Sequence, residues 1–218
     1  MKNLVIVGAG GFGREVLWLI KNINKEQPLW NFLGFIDDAT NKMLNGNKKI
    51  IGNIEYLLNY MEYIDVVVAI GNPSVRKNIV QKLKHNKCLS FPNIISPEID
   101  FDESNNIGVG NIICKGTILT CDVCIGNFNI VNLNCTIGHD DNIKDYVTIY
   151  PNSNISGNVL LDSFVEVGTG TQIIQGKNIN KHSILGAGSV VVSDIEGYCT
   201  AVGIPAKVIK RREINDED

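Results

Sequence analysis

Residues 131–155 read VNLNCTIGHDDNIKDYVTIYPNSNI, and every sixth position in that stretch is aliphatic: Val131, Ile137, Ile143, Ile149 and Ile155. Working outward, the phase holds through Ile107, Ile113, Leu119 and Ile125 on one side. On the other it continues through Leu161, Val167, Ile173, Ile179, Leu185 and Val191. With about one residue in four aliphatic, such an unbroken series arises by chance about once in a billion. A helix repeats its face near 3.6 residues and a strand near two, so neither accounts for a beat of six. A short strand plus a turn, repeated as the side of a coil, does. Two residues before the anchors stand Val123, Cys135, Val147, Val159, Val165, Thr171, Ser183 and Ser189, small or β-branched groups suited to the same inward side. Directly after anchors come Gly108, Gly126, Gly138, Gly168 and Gly186, read here as corner positions that need an unusual backbone angle.

The first ninety residues follow a different grammar. Asn3–Val7 is a short apolar strand, Gly8-Ala9-Gly10-Gly11-Phe12-Gly13 follows, and a helix runs to about Asn24 with Val16, Leu17 and Ile20 expected on its buried face. This is G-x-G-x-x-G between strand and helix, where glycines admit a ligand to the backbone and the helix start favours anions. A second strand over Phe32–Ile36 ends in Asp37 and Asp38, whose carboxylates suit ribose or base hydrogen bonds. A third, Asp65–Ile70, ends in Gly71-Asn72-Pro73. The alternation covers only half of a doubly wound sheet, which leaves no second mononucleotide half for a complete NAD site.

Composition bounds the rest. Hydrophobic content of 44% with 20% charged residues describes a globular chain, and a net charge of -3 offers no cationic excess for nucleic acid. No apolar run approaches the ~18 residues of a membrane span. The opening MKNLVIVGAGG reads as a strand and not as a signal peptide, so the six cysteines read as free thiols in a reducing cytoplasm. Cys121 and Cys124 form a C-x-x-C, but no second pair or histidine stands at zinc spacing, so no metal is expected. His139 lies two places past anchor Ile137, at a corner, and should point outward; His85 and His182 read as surface residues.

The tandem [I/L/V]-G-x-x-[S/T/V/C]-x pattern resembles the hexapeptide-repeat acyltransferases. That resemblance implies a left-handed parallel β-helix with three hexads per coil, five coils and a prism about 24 Å tall, assembled as a homotrimer. Together with the first half, the stretches GAGGFG, FIDD, AIGNPSVRK, NCTIGHD and VGIPAKVIK resemble the sugar O-/N-acyltransferases of the sialic acid O-acetyltransferase and bacillosamine-pathway acetyltransferase group. The implied plan is a half-Rossmann α/β domain over 1–92 that binds a sugar nucleotide, then an all-β domain over 93–218 that binds acetyl-CoA and ends in a tail.

By the same resemblance, Gly10, Gly11, Phe12, Asp37, Asp38 and Gly71 meet the sugar nucleotide. Thr148, Thr169 and Ala187 line the pantetheine groove, and Lys207 meets the CoA phosphates. His139 becomes the general base, a task imidazole suits near neutral pH. Asp140 orients it, with Asp141 as a rival, and backbone N–H groups such as that of Gly157, one coil above, receive the oxyanion. The implied reaction is acetyl-CoA-dependent N-acetylation of a nucleotide-linked amino sugar for a surface glycan. O-acetylation of sialic acid or its activated form is the alternative. A NAD-binding protein with a trimerising β-helix is a further one.

Overall fold

The structure, a computed structural model, describes residues 1–39 and 49–212. It divides into two compact units, Met1–Pro97 and Glu98–Asp218.

The first unit is a parallel sheet with helices. Its elements are β1 (Lys2–Val7), α1 (Gly11–Glu26), β2 (Trp30–Ile36), β3 (Ile50–Gly52), α2 (Ile54–Leu58), β4 (Ile64–Val68), α3 (Pro73–Leu83) and β5 (Leu89–Ser90). The strand order is β3-β2-β1-β4-β5. Leu4, Val5 and Ile6 of β1 are wholly buried, as the continuous apolar run of a central parallel strand requires. On α1 the buried face is Gly13, Val16, Leu19, Ile20 and Ile23. Leu17 was expected there but is only half-buried, because Leu19 and Ile23 complete the i, i+3, i+4, i+7 stripe with Val16 and Ile20. Gly13 has no room for a side chain, since a Cβ would run into the carbonyl oxygen of Gly8. The helix start is thereby pinned against the strand exit.

The second unit is a three-sided parallel β-helix. Two-residue strands stack in register at an 18-residue interval: Ile125 beside Ile143 and Leu161 on one face, Val131 beside Ile149 and Val167 on the next, Ile137 beside Ile155 and Ile173 on the third. Every anchor from Ile113 to Val191 is buried, while Ile107, in the first coil, is half-buried. The inward companions follow suit, from Val123 and Cys135 to Ser183 and Ser189, all at 1% exposure or less. The hydroxyl of Ser153 shows how polar members are accommodated, donating to the carbonyls of Tyr150 at 2.8 Å and Gly168 at 3.0 Å.

The glycines after the anchors serve a different purpose from the one expected. None of Gly108, Gly126, Gly138, Gly168 and Gly186 has positive φ. They are small because the next coil passes directly over them: a Cβ on Gly108 would lie 2.5 Å from the carbonyl oxygen of Gly126, and one on Gly138 would lie 2.5 Å from the amide nitrogen of Gly157. The left-handed backbone falls two residues later. Each sixth residue from Gly110 to Gly188 has φ between 54° and 76°, and most of these residues carry side chains.

At one corner those residues are Phe128, Tyr146, Phe164 and His182, with Tyr198 above them. Their rings stack with centroids 5.6, 5.5, 4.4 and 5.0 Å apart. A bulky residue at positive φ costs on the order of 1–3 kcal/mol. An aromatic pair returns about 0.5–1.5 kcal/mol beyond its buried area, so the stack offsets much of the strain. His182 is therefore not a surface residue, as the sequence suggested. It is a ring in this column, only 7% exposed.

Truncation separates inward from outward positions. Ile149→Ala, at an interior anchor, should cost about 2–5 kcal/mol in chemical denaturation, and Ile118→Ala, on an exposed strand position, under about 0.5 kcal/mol. Equal losses at both would contradict an interior ladder.

Candidate functional site

In the first unit, the expected nucleotide-facing residues all sit at the carboxyl ends of β1, β2 and β4. Strand order reverses between β1 and β4, and such a switch point opens a crevice in parallel sheets. Gly8 has φ +100°, and a Cβ there would come within 2.8 Å of the Ile70 Cδ1, so the loop after β1 lies against the end of β4. Gly10 is the N-cap of α1 without a side-chain cap, and no acidic residue occupies the first turn. Around Gly10 and Gly11 the space beside the backbone is open. Those amides form an uncapped, positively polarised helix end suited to a phosphate oxygen.

The two aspartates after β2 are largely committed to the backbone. Asp37 accepts from the amide of Ala9 at 2.8 Å through Oδ2 and from that of Ala39 at 2.9 Å through Oδ1. Asp38 accepts from the amide of Ile54 at 3.0 Å through Oδ1. Asp37 thus braces the glycine loop. Sequence reasoning did not single out Arg76 for a site, yet it is a buried residue at the loop. Its guanidinium donates to the carbonyls of Ile70 at 2.6 Å and Gly71 at 2.9 Å, fixing the backbone where Gly71 stands. An arginine one turn into a helix that follows Gly-Asn-Pro is the signal that was available.

In the second unit His139 stands on a corner, two residues past anchor Ile137. Its carbonyl accepts from the amide of Asn158 at 2.7 Å, which ties its backbone to the coil above. The ring is half-exposed and lies across Gly157: a Cβ on that glycine would be 2.5 Å from Nε2 and 2.6 Å from Cε1. Nδ1 lies 2.8 Å from Oδ2 of Asp140, which occupies the left-handed corner position at φ 63°. With Nδ1–H donating to this carboxylate, Nε2 carries the lone pair.

Asp141, the rival orienter, points the other way. It is 1% exposed, and its oxygens accept from the amides of Val159 at 2.8 Å and Gly138 at 2.9 Å. Burial pushes its carboxyl up to about 7, against the downward pull of those two bonds and of His139, while Asp140 adds to the rise.

Thr169 and Ala187 are exposed on a second corner, eighteen residues apart. Between that corner and the one bearing His139 lies the face with Thr136, Asn154 and Gln172. These three join in a ladder, Thr136 Oγ1 to Asn154 Oδ1 at 2.9 Å and Asn154 Nδ2 to Gln172 Oε1 at 3.1 Å. Thr148 sits on a different face and is 1% exposed, so its hydroxyl does not open onto that corner. Lys207 is exposed at the start of the strand Lys207–Arg211, antiparallel to Cys199–Val202. Within one chain, then, the structure does not bring His139 together with Thr169, Ala187 and Lys207. Cys121 and Cys124 are exposed and free, and the described residues contain no cluster of three or more His, Cys, Asp or Glu that could hold a metal. No helix among them is long and apolar enough to cross a membrane.

A glycine-loop α/β unit followed by a hexad prism, with a corner histidine paired with a carboxylate, is similar in plan to known acetyltransferases. The family model described as PglD N-terminal domain matches residues 3–83. GDP-perosamine N-acetyltransferase from Escherichia coli O157:H7 is 29% identical over 219 residues, covering 94% of this chain and 96% of that one. The acetyltransferase domain of PglB from Neisseria gonorrhoeae FA1090, solved in complex with acetyl coenzyme A, superposes with a TM-score of 0.87 at 29% identity, covering 95% of this chain and 99% of its own. WeeI from Acinetobacter baumannii AYE gives 0.82 at 28%, covering 96% and 100%. Over nearly its whole length the chain is therefore similar to nucleotide-sugar N-acetyltransferases and related acetyltransferases, and it shares their fold.

Two outcomes follow from this geometry. In Gly157→Ala the methyl group must displace the imidazole, so turnover in a thiol-release assay should fall about 10-fold or more while the melting temperature moves little. For Asp141 the native carboxyl binds its proton more tightly than the unfolded one, whose ordinary value is 3.8. Its contribution to stability is present below about 4 and is lost as pH rises to about 7. Asp141→Asn should therefore melt higher than the parent at pH 8 by a margin that shrinks towards pH 5. A margin independent of pH would contradict the raised value.

Proposed function

We propose that this chain is an acetyl-CoA-dependent N-acetyltransferase acting on a nucleotide-linked amino sugar, such as a UDP-4-amino sugar, for surface glycan biosynthesis. The observation that carries the reading is the imidazole of His139, laid over Gly157 with Nδ1 on Asp140, which leaves Nε2 to act as the base. Full-length likeness to N-acetyltransferase and acetyltransferase relatives supports the same reaction.

The sugar amine attacks the thioester carbonyl as its proton passes to Nε2 of His139. The carbonyl electrons collect on oxygen, where a backbone N–H such as that of Gly157 receives them. The tetrahedral adduct collapses, the C–S bond breaks, and the CoA thiolate takes up the proton. Asp140 stabilises the imidazolium formed midway. Direct attack needs no acyl-enzyme and no metal.

The finer assignments belong to the same proposal. Gly10, Gly11, Phe12, Asp38 and Gly71 bind the nucleotide sugar, with Asp37 holding the loop that does so. Thr169, Ala187 and Lys207 bind acetyl-CoA, and Thr148 contributes through its strand. Residues 1–92 serve the acceptor and 93–218 the donor. Because His139 and the Thr169–Ala187 corner flank one face of a prism, a cleft containing both requires a second copy. A homotrimer, each copy lending one corner to its neighbour, satisfies this. The proposed compartment is a reducing cytoplasm, a reading supported by the free thiols and a CoA substrate.

The test is a thiol-release assay over UDP-, dTDP-, GDP- and CMP-linked sugars, with amino and hydroxyl acceptors side by side. His139→Ala should lower turnover by at least ~100-fold with the oligomer intact. Acetyl-CoA should raise the melting temperature by binding the native state. A rise with NADH and none with acetyl-CoA overturns the reading.

A further inference from the structure

Asp141 carries a buried carboxylate at a place where the coils next to it use the neutral residues Asn105, Val123 and Val159. On alternate turns at this corner a polar side chain receives the inward amide of the coil above: Asn105 receives that of Val123 and Asp141 that of Val159. Asn105, two coils beneath Asp141, accepts from the amide of Val123 at 2.9 Å and gives Nδ2 to the carbonyl of Thr120 at 2.7 Å. At a neighbouring corner Asn111 accepts from the amide of Asn129 at 2.8 Å and gives Nδ2 to the carbonyl of Gly126 at 2.9 Å. Both arms of both asparagines therefore reach upward into the next coil. Asp141 keeps the first arm, on Val159 at 2.8 Å, but turns the second back into its own coil, onto the amide of Gly138 at 2.9 Å.

That reversal demands a carboxylate, because an amide nitrogen cannot accept from an N–H. It is also costly, since burying a carboxylate is unfavourable where an amide would close the corner. Fold alone does not call for it. Gly138 already gives its N–H to the carbonyl of Ile155 at 3.0 Å. What the second arm adds is a grip on the residue before His139, while the first holds Val159, two residues after Gly157.

We propose that Asp141 is a positioning residue: its two oxygens bridge the segment bearing His139 and the segment bearing Gly157, fixing the base against the backbone that receives the oxyanion. This rests on the acetyl-transfer reading above. Asp141 touches neither substrate; it acts through the two backbone segments.

The experiment is Asp141→Asn in the full chain. An asparagine should copy Asn105, turning Nδ2 to the carbonyl of Ser156 and releasing Gly138. Expected are an undiminished melting temperature at pH 8, a kcat lower by about 10-fold or more, and KM values for both substrates within about twofold. In the same sample, hydrogen exchange at the Gly138 amide should quicken and the His139 ring resonance should broaden or shift. Asp141→Val, copying Val123 and Val159 of the column, should repeat the kcat loss and guard against a folding artefact. Unchanged kcat overturns the proposal, as does a loss of melting temperature with folded-fraction kcat intact, which marks a purely structural latch. Unchanged Gly138 exchange and His139 resonance overturn it without reference to turnover. His139→Ala in the same assay tests the base separately: if it remains active the acetyl-transfer reading fails, while the two spectroscopic readouts still decide the tether.

Discussion

The structure depends on one constraint: an aliphatic side chain must enter the column at every sixth residue, and the backbone must turn left-handed three residues later. The anchors from Ile113 to Val191 supply the buried area. The positive-φ positions from Gly110 to Gly188 supply the turns. Neither works alone. Without the turn, the next anchor misses the interior; without the anchor, nothing offsets the strain of placing Phe128, Tyr146 or Phe164 in a region that side chains avoid. The flat faces, the stacked hydrogen bonds and the position of His139 all follow from this pairing of burial with bend.

The corners then divide the labour. One is filled with stacked rings from Phe128 to Tyr198 and is structural. A second, bearing Thr169 and Ala187, is glycine- and asparagine-rich and leaves its backbone accessible. The third carries Asp122, Asp140 and Asn158 at the turn positions and holds His139 over Gly157. The same φ value thus serves packing, access and chemistry in turn, and only the side chain at the corner changes. Gly157 is the point where structure and chemistry meet, since its missing Cβ is the space the imidazole occupies.

Much of this was legible because the hexad signal is local and redundant. Ile137 predicts the inward position, and His139 two places on predicts the outward corner. The 18-residue coil sets Gly157 above it. What stayed hidden depends on neighbours eighteen residues away. His182 looks polar between Lys181 and Ser183, yet Phe164 and Tyr198 enclose it. A search for aromatic residues at that longer interval would have found Phe128, Tyr146 and Phe164 first. The glycines after the anchors were recognised as significant, but sequence could not tell a strained angle from a crowded one. Asp141 and Asp140 are alike as letters, and only the alternation of the corner turns one outward and the other in. In the first unit the glycine loop and Asp37 were readable as a motif, whereas the bracing of that loop by Asp37, and of Gly71 by Arg76, required coordinates.

Because each coil touches only the one below and the one above, the reactive corner occupies a narrow storey of a taller tower. Asp140 hangs from the carbonyl of Cys121 beneath, and His139 meets Gly157 and Asn158 above. Evolution can therefore add or delete whole eighteen-residue floors elsewhere without disturbing the catalytic one, whereas gain or loss of a single residue inside the tower throws every later storey off its foundations. Descendants of such a gene should differ in height by complete turns and keep their irregular insertions on the outer bends.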